Sequence, residues 1–246
     1  MLYGFITITV LLTAVLSGVL GMAGGMVLMA VLVISMNVAN AMILHGVVQA
    51  TSNGSRAWFL REHILWSLLP LYLLGAGIAV AAFTALAVIP DAGVVLILVG
   101  AFPWAARWVK RLQGLDITKP LTTVACGVSV TAAQLLAGAS GPLLDTFYLK
   151  SPLSREQIVA SKAVTQTIGH LLKIVYYGFI VVVVVDLPLW LFGACVVAAI
   201  AGSRVGTLML KRWNDQDFQK VSQMVILTIA TLCIAQGLYE LVPRSA

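Results

Sequence analysis

LLPLYLLGAGIAVAAFTALAVI, residues 68–89, contains no charged side chain, and its only polar side chains are those of Tyr72 and Thr84. A run of this length and character suits a helix of about 20 residues crossing a hydrocarbon layer about 30 Å thick. In lipid a segment must satisfy its own backbone hydrogen bonds, which a helix does and an isolated strand does not. The alternating patterns that mark a membrane β-barrel are absent. Outward from this run the rest of the chain is similar: of 246 residues, 61% are hydrophobic and 10% charged, with a mean hydropathy of +1.02. A water-soluble core could not hide that much apolar surface. The expected fold class is all-α, a polytopic transmembrane helical bundle in contact with a lipid bilayer.

Breaks in hydrophobicity predict ten segments, near 3–20, 25–36, 40–60, 64–88, 91–108, 119–137, 142–150, 156–181, 188–210 and 218–241, of which 25–36 and 142–150 are short. Leu2 to Leu20 lacks the basic flank of a secretory leader and reads as a retained span. Leu241-Val242-Pro243-Arg244-Ser245 resembles a thrombin-site remnant and has no weight in the fold argument. Cys126, Cys195 and Cys233 are spaced singly in apolar segments and read as buried structural thiols, with no metal site or cofactor implied. The net charge of +6 forms no continuous basic stripe, so nucleic acid is not an expected partner.

The charge is better explained by topology. Basic residues collect at Arg56/Arg61, Arg107/Lys110/Arg111/Lys119, Lys150/Arg155 and Lys211/Arg212/Lys220, whereas the intervening breaks hold Asn37, Asn40, Asp91 and Asp186. The positive-inside rule assigns the first set to the cytoplasm. For the sides to alternate, 1–36 must leave and return to the outer side and 119–150 must leave and return to the inner side. Two inverted repeats of five segments follow, 1–112 and 113–246, each with one short broken or hairpin segment, a plan shared by many secondary transporters.

A shift of 117 residues lays Gly21-Met22-Ala23-Gly24-Gly25 on Gly138-Ala139-Ser140-Gly141-Pro142, and matches His45 with Lys162, Gln49 with Gln166, Asn53 with His170 and Arg56 with Lys173. Steps of three and four put each set on one helix face. A Lys or Arg deep in lipid costs about 2.5–3.5 kcal/mol on insertion scales, so these stripes are expected to face a cavity. Arg56, near the predicted cytoplasmic end, can alternatively snorkel to the interface. The glycine-rich breaks place helix starts, with their unpaired N–H groups, inside the membrane, where they attract anions. Ser140 is expected to cap one start, Gly141 to admit a ligand close to the backbone and Pro142 to suit the first turn; Gly24 and Gly25 do the equivalent in the first half. The Gly75/Gly77 and Gly202/Gly206 pairs read as close helix packing. Asp145, the one carboxylate nearby, is expected to pair with Lys162 or Lys173 rather than to bind substrate.

Together these residues resemble the TauE/SafE family of sulfite and organosulfonate exporters over nearly the whole chain. The resemblance rests on Gly18-Val19-Leu20-Gly21-Met22-Ala23-Gly24-Gly25, Leu60-Arg61-Glu62-His63-Ile64-Leu65-Trp66, Gly138-Ala139-Ser140-Gly141-Pro142, Ser161-Lys162-Ala163 with Gly169-His170-Leu171-Leu172-Lys173, and Gly202-Ser203-Arg204-Val205-Gly206. It implies a bacterial inner-membrane permease exporting products of sulfonate breakdown such as sulfite or sulfoacetate. Many members carry longer glycine runs where this chain has Met22, Ala23, Ala139 and Ser140. The expected function is therefore export of a small anion by alternating access, with an elevator-type shift as one form of it and an anion channel of similar architecture as the rival. The expected substrate-binding residues are Gly24, Gly25, His45, Gln49, Asn53, Arg56, Ser140, Gly141, Lys162, Gln166, His170 and Lys173, and the expected assembly is a homodimer. No H-E-x-x-H, G-x-S-x-G or carboxylate pair beside a histidine occurs, so an enzyme is not expected.

Overall fold

In the computed structural model the described residues are 1–20, 23–111, 115–181, 186–210 and 215–242. Gly21 and Met22 of the first break, Lys211 and Arg212, and the tail from Pro243 to Ala246 lie outside them, as do the side chains of Lys110, Arg111 and Lys220. The described chain is all-helical. Its helices are α1 (Leu2–Leu20), α2 (Ala23–Ser35), α3 (Val38–Phe59), α4 (Leu69–Leu86), α5 (Ala92–Arg111), α6 (Pro120–Ala137), α7 (Gly141–Thr146), α8 (Arg155–Val175), α9 (Leu189–Leu210) and α10 (Asp215–Leu241). Tight turns at Arg61–His63 and Trp66–Leu68 separate α3 from α4, and a π-turn at Tyr176–Ile180 follows α8. The short segment expected over 142–150 is helical only over Gly141–Thr146.

Local chemistry sets the boundaries. The Asn37 side chain caps α3 by accepting from the Asn40 N–H at 2.9 Å. Ser154 and Gln157 form a reciprocal capping box at the start of α8. Prolines occupy the first turns of α4, α6 and α7, where a missing N–H costs nothing. Gly138 ends α6 with φ 68°, a left-handed conformation that glycine adopts without strain.

The helices pack in pairs: α1 along α9, α4 along α6, α5 along α10 and α3 along α8. Small residues set the close approaches. A Cβ on Gly202 or Gly206 would strike the α1 backbone at Leu11 or Val15, and one on Gly75 would strike the Val124 carbonyl. Gly77 has open space beside it, so packing explains Gly75, Gly202 and Gly206 but not Gly77. The same neighbours give directions. Gly202 and Gly206 advance together with Leu11 and Val15, so α1 and α9 are parallel. Gly46 sits against Ile174 and Gly54 against Thr167, so α3 and α8 are antiparallel, and Gly93 against Gly237 and Gly100 against Ala230 make α5 and α10 antiparallel.

The burial pattern is that of a helical membrane protein. Ile8, Leu12, Leu74, Ile78, Val197 and Leu232 are exposed on the outside, while His45, Asn53, Thr131, Gln134, His170 and Lys173 are buried within. Four stretches among the described residues, Trp66–Leu86, Pro120–Ala137, Leu189–Gly206 and Gln223–Leu241, are long and apolar enough to cross a membrane. The polar helices α3 and α8 lie inside this apolar envelope, which lets them carry charges that a lipid-facing helix could not. Backbone bonds from Leu115 to Thr146 and from Lys150 to Leu115 hold the loop before α6 beside the loop before α8. The turn bearing Arg61 packs on α8, and the Leu65 N–H donates to Ser161 Oγ at 3.1 Å. Lys119, Lys150 and Arg155 therefore share one end of the bundle with Arg61. Val88, close to Asp91 in sequence, accepts from the Tyr176 hydroxyl at the other end.

Candidate functional site

Where α3 and α8 cross, their polar faces are apposed across a cavity of about 170 Å³. The starts of α2 and α7 flank it through Gly25, Met26, Ser140, Gly141 and Pro142, and Ser17 reaches it from α1. Of the candidate residues, Gly25, His45, Gln49, Asn53, Arg56, Ser140, Gly141, Lys162, Gln166 and His170 line the cavity, and Gly24 and Lys173 do not. Gly24 is buried against α1, where a Cβ would strike the Thr13 carbonyl and the Ser17 side chain. Its role in the structure is to let α2 approach α1.

Because the two helices are antiparallel, the two stripes run in opposite directions through the cavity. Arg56 and Lys162 stand at the partly exposed end, together with the exposed Val159. His45 and His170, 1% and 4% exposed, form the sealed end, which at about 1.5 Å per helical residue lies roughly 20 Å from the helix ends at Phe59 and Arg155. The mouth is thus at the end of the bundle that carries Arg61, Lys150 and Arg155.

The floor is a continuous hydrogen-bonded assembly. Lys173, 0% exposed, donates to the Gly138 carbonyl at 3.0 Å and to His45 Nδ1 at 2.9 Å. An imidazole that accepts at Nδ1 carries its proton on Nε2, and His45 Nε2 meets the Gly25 carbonyl at 2.9 Å. One lysine therefore reaches the break before α7 directly and the start of α2 through a histidine. Gln134 reinforces it, donating to the Gly138 carbonyl at 3.1 Å and contacting His170 Nδ1 at 2.5 Å. Ser140 differs from its expected role: its hydroxyl does not cap α7 but donates to Gln134 Oε1 at 2.7 Å. The backbone of Ser140, φ −132° and ψ 6°, is not the extended form a capping residue takes, and Pro142 already removes one N–H from the first turn. Left-handed Gly138 turns its carbonyl toward both donors, and a Cβ there would press into the Met29 and Met42 sulfur atoms. Beyond the floor, Tyr176 and Tyr177 in the π-turn bond the carbonyls of Phe83, Val88 and Leu135, which anchors the end of α8.

At the mouth, Lys162 forms an ion pair with Asp145 of α7. Sequence reading left the partner of Asp145 open between Lys162 and Lys173; the structure selects Lys162. No described residue pairs with the Arg56 guanidinium. Gln134, Ser17 and Ser52, which the sequence reading did not single out, also belong to this region: Ser17 and Ser52 line the cavity, and Ser52 bonds Ser203 of α9 at 2.9 Å. A signal for two of them was present, because the same shift of 117 residues pairs Ser17 with Gln134.

Chemically the lining offers amide and imidazole donors, a guanidinium and an ammonium, a set suited to a compact oxyanion. Among the described residues no His, Cys, Asp and Glu cluster could hold a metal ion. A family model described as sulfite exporter TauE/SafE matches residues 6–232, which takes in both breaks and both stripes. The chain belongs to this family. No curated protein and no solved structure matches it. TauE/SafE proteins are membrane transporters and not enzymes, and the helical envelope agrees with a membrane protein.

Proposed function

We propose that this TauE/SafE protein exports a small anion, sulfite or an organosulfonate such as sulfoacetate, across the bacterial inner membrane as a multi-pass carrier. The observation that carries this reading is the cavity between α3 and α8, cationic and donor-rich, open at the basic end and sealed by the Lys173 assembly at the other. Under the positive-inside rule the basic end is cytoplasmic, so this is the form that loads from inside. A closed floor favours alternating access over a channel, which needs a continuous water path. An inside-negative potential drives anion exit by about 2.3 kcal/mol per charge per 100 mV.

The helix pairing supports a division into inverted repeats 1–112 and 113–246. Exchanging each helix for its counterpart turns α1 with α9 into α6 with α4, and leaves α3 with α8 and α5 with α10 unchanged. The antiparallel run of the last two pairs agrees with opposed halves. In this reading Gly25, Gln49, Asn53, Arg56, Ser140, Gly141, Lys162, Gln166, His45 and His170 contact the anion, Lys173 and Gly24 support them, and an elevator-type shift moves the site. The expected assembly is a homodimer, which native mass spectrometry in detergent decides.

The test is transport of labelled sulfite and sulfoacetate in proteoliposomes. Replacing Lys162, His170 and Lys173 with Ala in protein that remains folded is expected to abolish uptake and counterflow. Undiminished transport sinks the site. Absence of accelerated exchange in the wild type would favour the channel.

A further inference from the structure

We propose that Asp145 is a built-in stand-in for the transported anion, occupying Lys162 in the empty carrier and yielding it when substrate arrives. The inference rests on the reading of the cavity between α3 and α8 as the anion site. Asp145 lies one helical turn after Gly141, which lines the cavity, so the short helix α7 presents a backbone wall and a carboxylate on one face. The carboxylate is paired with Lys162, itself a cavity-lining residue.

The two lysines of the α8 stripe are in opposite situations. Lys173 is sealed, and its two bonds go to a backbone carbonyl and an imidazole, neither of which an entering anion could replace without opening the floor. Lys162, its side chain 21% exposed, lines the cavity at the mouth, where an anion arriving from the basic end meets it, and Asp145, 25% exposed, holds it from beside the lining. A carboxylate and a sulfite or sulfonate oxygen offer an ammonium the same kind of charge-assisted bond. The anion and Asp145 are therefore alternatives at one cation.

The consequence concerns the empty carrier. A carrier that performs net export must return without substrate, and with no membrane potential applied an uncompensated charge on the moving site opposes that step. With Asp145 in place, Lys162 is neutralised both when loaded and when empty. Asp145→Asn leaves one additional positive charge on the empty form. In the loaded form it removes a carboxylate that the anion has displaced. Both effects favour the loaded carrier, whatever other charge the site bears. The substitution should therefore tighten anion binding and slow the empty return, while exchange of anion for anion, which never passes through the empty return, proceeds.

The experiment uses the full chain in proteoliposomes at zero membrane potential with sulfite and sulfoacetate as probes, measuring exchange and net efflux side by side. For Asp145→Asn the half-saturating concentration for exchange is expected to fall about tenfold, with exchange rate retained and net efflux about tenfold slower. Asp145→Glu, which keeps the charge, should restore the wild-type ratio of the two rates. If Asp145→Asn does not fold, Asp145→Ser removes the same charge with a smaller side chain. The proposal is overturned if exchange and net efflux fall together, or if affinity is unchanged or weaker. Lys162→Ala and Arg56→Ala separate the two levels: if these weaken or abolish exchange while Asp145→Asn behaves as wild type, only the stand-in role is lost. If they too transport as wild type, or if the wild type transports neither probe, the site reading fails and takes this inference with it.

Discussion

The stripes on α3 and α8 are built to one pattern yet sit in unlike surroundings. Arg56 and Lys173 are counterparts under the shift of 117 residues, but the first stands at the open mouth with no described partner and the second is sealed in the floor with two. The difference follows from direction: antiparallel helices send equivalent positions to opposite ends of the cavity. It suggests what the other face of the transport cycle involves. If the halves exchange conformations, the Lys173 end opens and the Arg56 end closes, so each cation serves once as the entrance and once as part of the seal.

The largest expected effect tests that exchange of roles. Lys173→Met keeps much of the volume but leaves His45 Nδ1 without its donor and the Gly138 carbonyl with Gln134 alone. Exchange and net efflux are expected to fall about a hundredfold, equivalent to about 2.7 kcal/mol, with thermal stability in detergent lowered by an amount set by the orphaned imidazole nitrogen, about 1–3 kcal/mol. Arg56→Ala should instead raise the half-saturating concentration for sulfite at the basic side about tenfold and leave stability nearly unchanged. If Lys173→Met loses stability but transports normally, the two residues are counterparts in sequence only and the comparison fails.

A gentler test compares Ser17 with Gln134, which the same shift also pairs. Gln134 joins Gly138, Ser140 and His170, and Gln134→Leu strands groups that are buried with it, so a loss of about 1–3 kcal/mol in unfolding free energy is expected. Ser17 lines the cavity from α1 without such a hub, and Ser17→Ala should stay within about 0.5 kcal/mol. Equal losses would mean that the first half holds an equivalent of the Gln134 hub.

These contrasts mark what could be read from residues alone. The helices follow apolar runs such as 68–89, because lipid forces hydrophobicity and helicity to coincide, and the spacing of three and four residues put each stripe on one face. Depth was not legible. Lys162 and Lys173 look alike in sequence, and only the crossing of α3 and α8 puts one at the mouth beside Asp145 and the other under His45. Gln134 carries no signal of its own because it lies inside an apolar helix, apart from either stripe, and meets His170 only after folding. Ser140 has the sequence signature of a cap, but its backbone is not in the extended form a cap needs, and its hydroxyl instead donates to Gln134 of α6.

The smallest effects distinguish neighbours within one break. Gly24 and Gly25 are adjacent and look equivalent in sequence, yet a methyl group meets different things at each. At Gly24 it runs into the Thr13 carbonyl and Ser17 on α1, backbone that can move only with the helix. Gly24→Ala should cost about 1–3 kcal/mol of stability through overpacking. At Gly25 the nearest atom is Gln49 Oε1, 3.3 Å from the added carbon, the far end of a flexible side chain that can turn aside. Gly25→Ala should therefore fold normally, with stability changed by no more than about 0.5 kcal/mol. Because both the methyl group and the displaced amide belong to the cavity wall, its mark should appear in transport, as a several-fold rise in the half-saturating concentration for sulfoacetate and a smaller one for sulfite. Equal rises for the two anions would mean that the larger one does not reach the Gly25 wall, and that the inner part of the cavity between Gln49 and His45 is left to water.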